Sequence, residues 1–197
     1  SWVERPLLSP LAINRRLSAV RELHDDNVRR GEIRELFLRE IYGRRPGEKP
    51  ARLSFAAAEP DKVMMDGKAV RKRIRVNYRG PYGTNSFVFV AYIPKSAKPV
   101  PATLLLCNRP QVMPIDESDD GAKSAFWPHD EIVRRGYAAI AFYLSDLAAE
   151  TYVPEKSLQS GVFTAYEKYA DRKPNSWGVL SAWAWGASRV MDWIETE

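Results

Sequence analysis

A chain of 197 residues with 45% hydrophobic and 28% charged residues is long enough to bury one sizeable core, and its composition excludes a disordered polypeptide. The net charge of +5 comes from scattered pairs such as Arg15-Arg16, Arg29-Arg30, Arg44-Arg45 and Arg134-Arg135 and from the short run Arg71-Lys72-Arg73. No stacking aromatics are interleaved with a long basic stripe, and no apolar stretch approaches the roughly 18 residues of a bilayer span, so neither a nucleic-acid nor a membrane partner is expected.

Val28 to Tyr42 places Ile33, Leu36, Phe37 and Ile41 at helical spacing, with Arg34, Glu35, Arg39 and Glu40 facing away. This predicts an amphipathic helix that stops at Gly43, with Pro46 preventing its resumption. Residues 71 to 78 switch to a period of two, with Ile74, Val76 and Tyr78 on one face and Arg73, Arg75 and Asn77 on the other, a half-exposed strand. The turn-forming segment Gly80 to Asn85 and the apolar run Phe87 to Ile93 complete an antiparallel hairpin that Pro94 ends.

A third apolar run, Ala102 to Cys107, leads into a long loop, Asn108 to Ser124, bearing Asp116, Glu117, Asp119 and Asp120. Pro128 opens a helix through Val133 that Gly136 caps, and the wholly apolar Tyr137 to Leu144 reads as a strand covered on both faces. The sheet is therefore expected to begin antiparallel and to continue parallel. The connection Ser145 to Ser176 holds a short helical candidate, Gln159 to Tyr169. The strongest helix in the chain, Trp177 to Thr196, gathers Leu180, Trp183, Ala187, Val190, Met191 and Ile194 on one stripe, with Asn175 or Ser176 able to cap it. A helix this apolar needs a sheet to cover, and a parallel strand is expected to follow it.

The chemistry legible in single motifs is sparse. The two histidines, His24 and His129, lie in no ligand-spaced cluster, and the acidic loop lacks the ligand alternation of a calcium site, so no metal is expected. His129 reads as an exposed residue at a helix start rather than a general base. Glycine-rich phosphate loops are missing, which argues against a nucleotide, and no other cofactor is implied. Cys107 cannot pair within the chain and reads as a buried small hydrophobe. Gly186-Ala187-Ser188-Arg189-Val190 has the first glycine and the serine of a nucleophile elbow. It has Val190 in place of the second glycine and falls in mid-helix, so Ser188 is not expected to be catalytic.

Several segments taken together resemble the bacterial glucuronoyl esterases and the related acetyl xylan esterase-like carbohydrate esterases. These are Glu32 to Phe37 with Ile41-Tyr42-Gly43-Arg44, Phe126-Trp127-Pro128, Glu131-Ile132, Arg135 to Ala139, Tyr143, Asp146, Trp177-Gly178 and Ala182 to Arg189. The resemblance implies the N-terminal portion of an α/β-hydrolase, with a mixed sheet flanked by helices, residues 1–26 as an N-terminal extension and 27–197 as the N-terminal part of one catalytic domain. It also implies an export signal, hence a secreted or periplasmic protein. The implied chemistry is hydrolysis of glucuronoyl or acetyl esters of xylan by a serine, histidine and acid triad.

In such enzymes the helix resembling Met191 to Thr196 leads into the strand carrying the nucleophile. No triad residue is therefore assigned within this chain, and its partners are expected to be a xylan-derived carbohydrate ester and the remaining part of its own domain. In an α/β-hydrolase the loops after parallel strands face the site, which points to Asn108 and Arg109 after one strand and Ser145 and Asp146 after the next as pocket or oxyanion-loop candidates. The alternative is a non-catalytic carbohydrate-binding or structural module using exposed Trp and Tyr as platforms.

Overall fold

The computed structural model describes residues 28–45, 50–108, 126–149, 151 and 153–196. His24, Arg109, the acidic loop residues Asp116 to Asp120, and Pro46 lie outside them.

Six strands form one sheet: β1 (Arg52–Ala57), β2 (Lys62–Met64), β3 (Ala69–Gly80), β4 (Gly83–Pro94), β5 (Ala102–Cys107) and β6 (Ala138–Tyr143). Their order is β1-β3-β4-β6-β5, with β2 also paired to β3. Every pairing is antiparallel except β5 with β6, so the sheet changes from antiparallel to parallel as its sequence pattern predicts. The hairpin turn is tighter than the turn-forming segment suggests. Gly80 pairs with Gly83, only Pro81 and Tyr82 turn, and Thr84 and Asn85 already belong to β4. The close approach of the Ala165 carbonyl, which accepts a hydrogen bond from the Tyr82 N–H at 2.9 Å, fixes the hairpin tip against the helical side.

The alternation on β3 sorts its two faces as expected. Ile74, Val76 and Tyr78 are buried, while Arg73, Arg75 and Asn77 face the other way. One core joins the Ile74 face to Phe87, Phe89, Phe142, Trp177, Trp185 and Trp193. A second core lies on the opposite face, where Val90, Tyr92, Cys107, Ala139 and Ala141 meet Trp127 and Val133. Burying one aromatic or aliphatic side chain contributes about 1.5–3 kcal/mol, so these two layers dominate the stability of the fold.

The helices are α1 (28–37), α2 (His129–Arg134), α3 (Pro154–Leu158), α4 (Phe163–Tyr166) and α5 (Val179–Ile194). Three expectations about them need correction. The helical candidate Gln159 to Tyr169 holds only the four-residue helix α4, while α3 ends before it at Leu158; the chain turns between them at Gly161, where a Cβ would sit 2.1 Å from the Leu147 carbonyl oxygen. Neither Asn175 nor Ser176 caps α5, because the Ser176 hydroxyl is held by the Lys173 N–H and Gly178 takes the cap position.

The third correction concerns which side of α5 is inside. Its buried face is Ser181, Ala182, Trp185, Gly186, Arg189, Val190 and Trp193, whereas Leu180 and Met191 of the expected stripe are about half exposed and Trp183, Ala187 and Ile194 half-buried. Two features turn the helix this way. Gly186 lets Leu147 approach to where a Cβ would stand, and Arg189 is buried by lying over the Trp185 ring and pairing with Asp192 at 2.6 Å.

Helix α1 runs into a π-helical turn, Leu38–Tyr42, and its apolar residues Ile33, Leu36, Phe37 and Ile41 are all exposed among the described residues. Among the described residues only its end is docked. Gly43, at φ +70°, lets the chain press against Ser176, the Tyr42 carbonyl accepts the Gly178 N–H and the Ser181 hydroxyl, and the Arg44 N–H donates to the Asn175 carbonyl.

Candidate active-site rim

Strands β5 and β6 are parallel and in register, with Cys107 opposite Tyr143. Asn108, the next residue after β5, and the 3-10 turn Leu144–Asp146 after β6 therefore leave the sheet at the same edge, about one strand spacing of ~4.8 Å apart. The structure thus brings Asn108, Ser145 and Asp146 together, all three exposed. Arg109 lies outside the described residues.

The floor behind this rim is aromatic. Tyr78 meets Trp185 edge-on at 4.8 Å between ring centres, and Tyr166 packs edge-on against Trp177 and Trp185 at 5.8 and 5.6 Å. The Tyr78 hydroxyl is buried with no hydrogen-bond partner among the described residues. Burial, then the neighbouring Tyr166 and the Asp146 carboxylate, push its pKa far above the ordinary tyrosine range, so it stays a neutral donor. Asp146 therefore acts electrostatically on the floor of the rim. Its separation from Tyr78 in sequence carries no sign of this, since the coupling depends on β3 and the turn after β6 meeting at the same end of the sheet.

His129 departs from its reading as an exposed helix-start residue. It is half-buried, with its ring stacked on Tyr92 at 4.1 Å, and its pKa is lowered chiefly by that burial, with the Trp127 backbone and the Asp130 carboxylate opposing. Cys107 is fully buried, as expected. The Ser188 hydroxyl donates to the Ala184 carbonyl at 3.1 Å in the middle of α5, with none of the strand-to-helix turn an activated serine requires. Among the described residues no three His, Cys, Asp or Glu side chains converge as a metal-ligand set.

The other informative feature is what borders β5. It is the last strand in the sheet order, and nothing among the described residues pairs with its outer edge. Leu104 and Leu106 pack toward the α5 side and Leu105 toward the α2 side, yet all three are only half-buried. Helix α5 starts where Trp177 meets Phe163 and Tyr166, near the hairpin tip. It ends with Trp193 and Ile194 lining one hollow with Ala102 and Ala138, the first residues of β5 and β6. The helix thus runs back from the rim to the opposite end of the sheet.

Comparison with known proteins agrees with this arrangement. The family model for fungal glucuronyl esterase matches residues 108–197. A curated carbohydrate esterase, MZ0003, from an unknown prokaryotic organism is 23% identical over 198 residues, covering 87% of this chain and 45% of its own. Among solved structures, a glucuronoyl esterase of carbohydrate esterase family 15 from Teredinibacter turnerae is 26% identical, with a TM-score of 0.69 over 88% of this chain and 43% of that one. The glucuronoyl esterase from Solibacter usitatus is 25% identical, with a TM-score of 0.67 over 86% and 48%. The chain spans a little under half the length of each of these relatives, and its mixed sheet flanked by helices is the α/β-hydrolase-like arrangement they have.

Proposed function

Starting from a chain related to the glucuronoyl esterases, we propose that residues 27–197 are the N-terminal part of a serine carboxylic-ester hydrolase domain acting on glucuronoyl or acetyl esters of plant cell-wall xylan, with 1–26 as an extension. In this reading the polypeptide is secreted or periplasmic, and the 197-residue chain has no esterase activity of its own. The observation that carries it is the combination of a parallel strand β5, whose outer edge is unpaired among the described residues, and a helix α5 that returns to the start of that strand.

A strand added there in parallel would emerge at the rim beside Asn108. A serine at that strand's end would attack the ester carbonyl, pass through a tetrahedral intermediate, release the alcohol and leave an acyl-enzyme for water to hydrolyse. This chain's share is support and charge. In this reading the backbone N–H groups after β5, at Asn108 and Arg109, would serve as donors to the developing oxyanion. Ser145 and Asp146 wall the neighbouring strand end, and the aromatic floor keeps water from the side opposite the solvent.

The reading of a self-contained carbohydrate-binding module is disfavoured by the same observation, because such a module would close its own sheet. The test is turnover of methyl glucuronate esters and p-nitrophenyl acetate. We expect none from the 197-residue chain and activity from a polypeptide continued through the next strand, turn and remaining triad. Turnover by 1–197 that Ser188→Ala abolishes would overturn the proposal, as would a continued polypeptide that carries no serine turn and cleaves neither ester.

A further inference from the structure

The face of the sheet that α2 covers over β4 and β6 has no such cover over β1 and β3 among the described residues, and there it carries arginine. Residues of one parity on β3 share this face. Arg71 and Arg73 are tied to Glu59, whereas Arg75 and Arg79 have no carboxylate partner among the described residues. Arg75 reaches only the Ser86 hydroxyl, at 3.5 Å. Arg52 of β1 stands directly opposite Arg79, and Ser54 and Ser86 flank Asn77 in the next row.

Like charges directly opposite across a strand pair are destabilising unless an anion is shared between them. Here Arg52 and Arg79 border a hollow of about 620 Å³ that Ser54, Asn77, Thr84 and Ser86 line on this face, with Leu53, Tyr78 and Asn85 of the other parity also bordering it, and Arg75 reaches its edge through Ser86. Arginine with a planar fork of donors matches a carboxylate in two-point fashion, and the surrounding hydroxyls and amide suit the hydroxyls of a sugar ring. Among the described residues the aromatic bordering the hollow is Tyr78, whose ring is buried on the opposite face and offers no base-stacking platform.

The hollow is also on the right end of the sheet. Phe89 pairs with Phe142, which sets Val88, and with it Arg75, level with Tyr143 at the end of β6. Asn77 and Arg79 project beyond that level, three strand spacings, or roughly 14 Å, across from the end of β5. A polymer lying along the rim would cross both.

We propose that Arg52 and Arg79, with Arg75 at the edge of the hollow, form an accessory subsite that holds the free carboxylate of a uronic-acid residue on an acidic polysaccharide, beside the ester-cleaving site. The choice of uronic acid rests on the esterase reading above, while the binding itself does not. The subsite works by binding alone and tethers a chain that already bears free acids.

Affinity electrophoresis of the full 197-residue chain tests it, with glucuronoxylan, the same polymer after carboxyl reduction, and a single-stranded oligonucleotide as probes. We expect retardation by glucuronoxylan that disappears on carboxyl reduction and falls at least tenfold in Arg75→Gln/Arg79→Gln, with Arg52→Gln intermediate and far-UV circular dichroism unchanged in all three. Equal retardation by the carboxyl-reduced polymer, equal binding by the variants, or tighter binding of the oligonucleotide would each overturn the proposal. Because the assay needs no turnover, a continued polypeptide that binds without cleaving would remove the esterase reading and leave the subsite standing, and one that cleaves without this binding would do the reverse.

Discussion

At the scale of single residues, the His129 ring is half-buried against Tyr92 at the start of the six-residue helix α2. Its burial has a measurable consequence. A histidine whose folded pKa lies below the unfolded value near 6.5 favours folding fully above that value and loses this contribution as pH falls through it toward the folded pKa. The urea midpoint of the chain should therefore drop between pH 7.5 and pH 5, and the drop should be smaller in His129→Gln. A parallel fall in both proteins would show that His129 is not the group responsible. His129 was illegible in the sequence because α2 is too short for periodicity to say which side faces the sheet, and the stacking partner Tyr92 lies on a distant strand. Chemical type was easier to read than orientation: Cys107 is a buried hydrophobe as its apolar neighbours imply, and Ser188 is a helical serine hydrogen-bonded to its own turn.

At the scale of elements, strands were legible where alternation or a continuous apolar run was long. The core face of β3 and the whole extent of β5 follow from the residue pattern. Strands β1 and β2 were not legible, because their alternation is short and weakly apolar, with only Leu53, Phe55 and Met64 partly covered. The extent of α5 was legible but its inward face was not, since hydrophobicity alone cannot foresee that an arginine would be buried on a tryptophan and that a glycine would sit at the closest contact. Helix α1 shows the converse: its apolar stripe is real and yet exposed, so its placement depends on the Tyr42–Arg44 attachment. A Cβ at Gly43 would lie 2.2 Å from the Ser176 carbonyl oxygen in a conformation that L-residues rarely adopt. Gly43→Ala should thus cost more than about 1 kcal/mol and loosen the attachment first. Limited proteolysis should cut within 28–45 faster in the variant while β3 and β4 stay protected, and an unchanged cleavage pattern would mean that the attachment does not depend on this glycine.

At the scale of the whole molecule, the two halves of the sheet are differently finished. The antiparallel side ends in β1, short and carrying Arg52, with alanines at its far end, which is how natural sheets blunt an edge. The parallel side ends in β5, whose Leu104-Leu105-Leu106 run has no charge and no proline, beside a helix whose Leu180 and Met191 remain half exposed. An apolar, unblunted edge of this kind is a template for pairing with another chain. The 197-residue chain alone should therefore self-associate, and size-exclusion chromatography with light scattering should find dimers or larger species whose population rises with concentration. Thr103 is exposed on that strand, so Thr103→Lys adds an edge charge without entering either core and should shift the distribution toward monomer with little change in circular dichroism. A wild-type chain that stays monomeric at high concentration and melts cooperatively would mean that β5 is already protected, and the case for a further strand beside it would fall with that result.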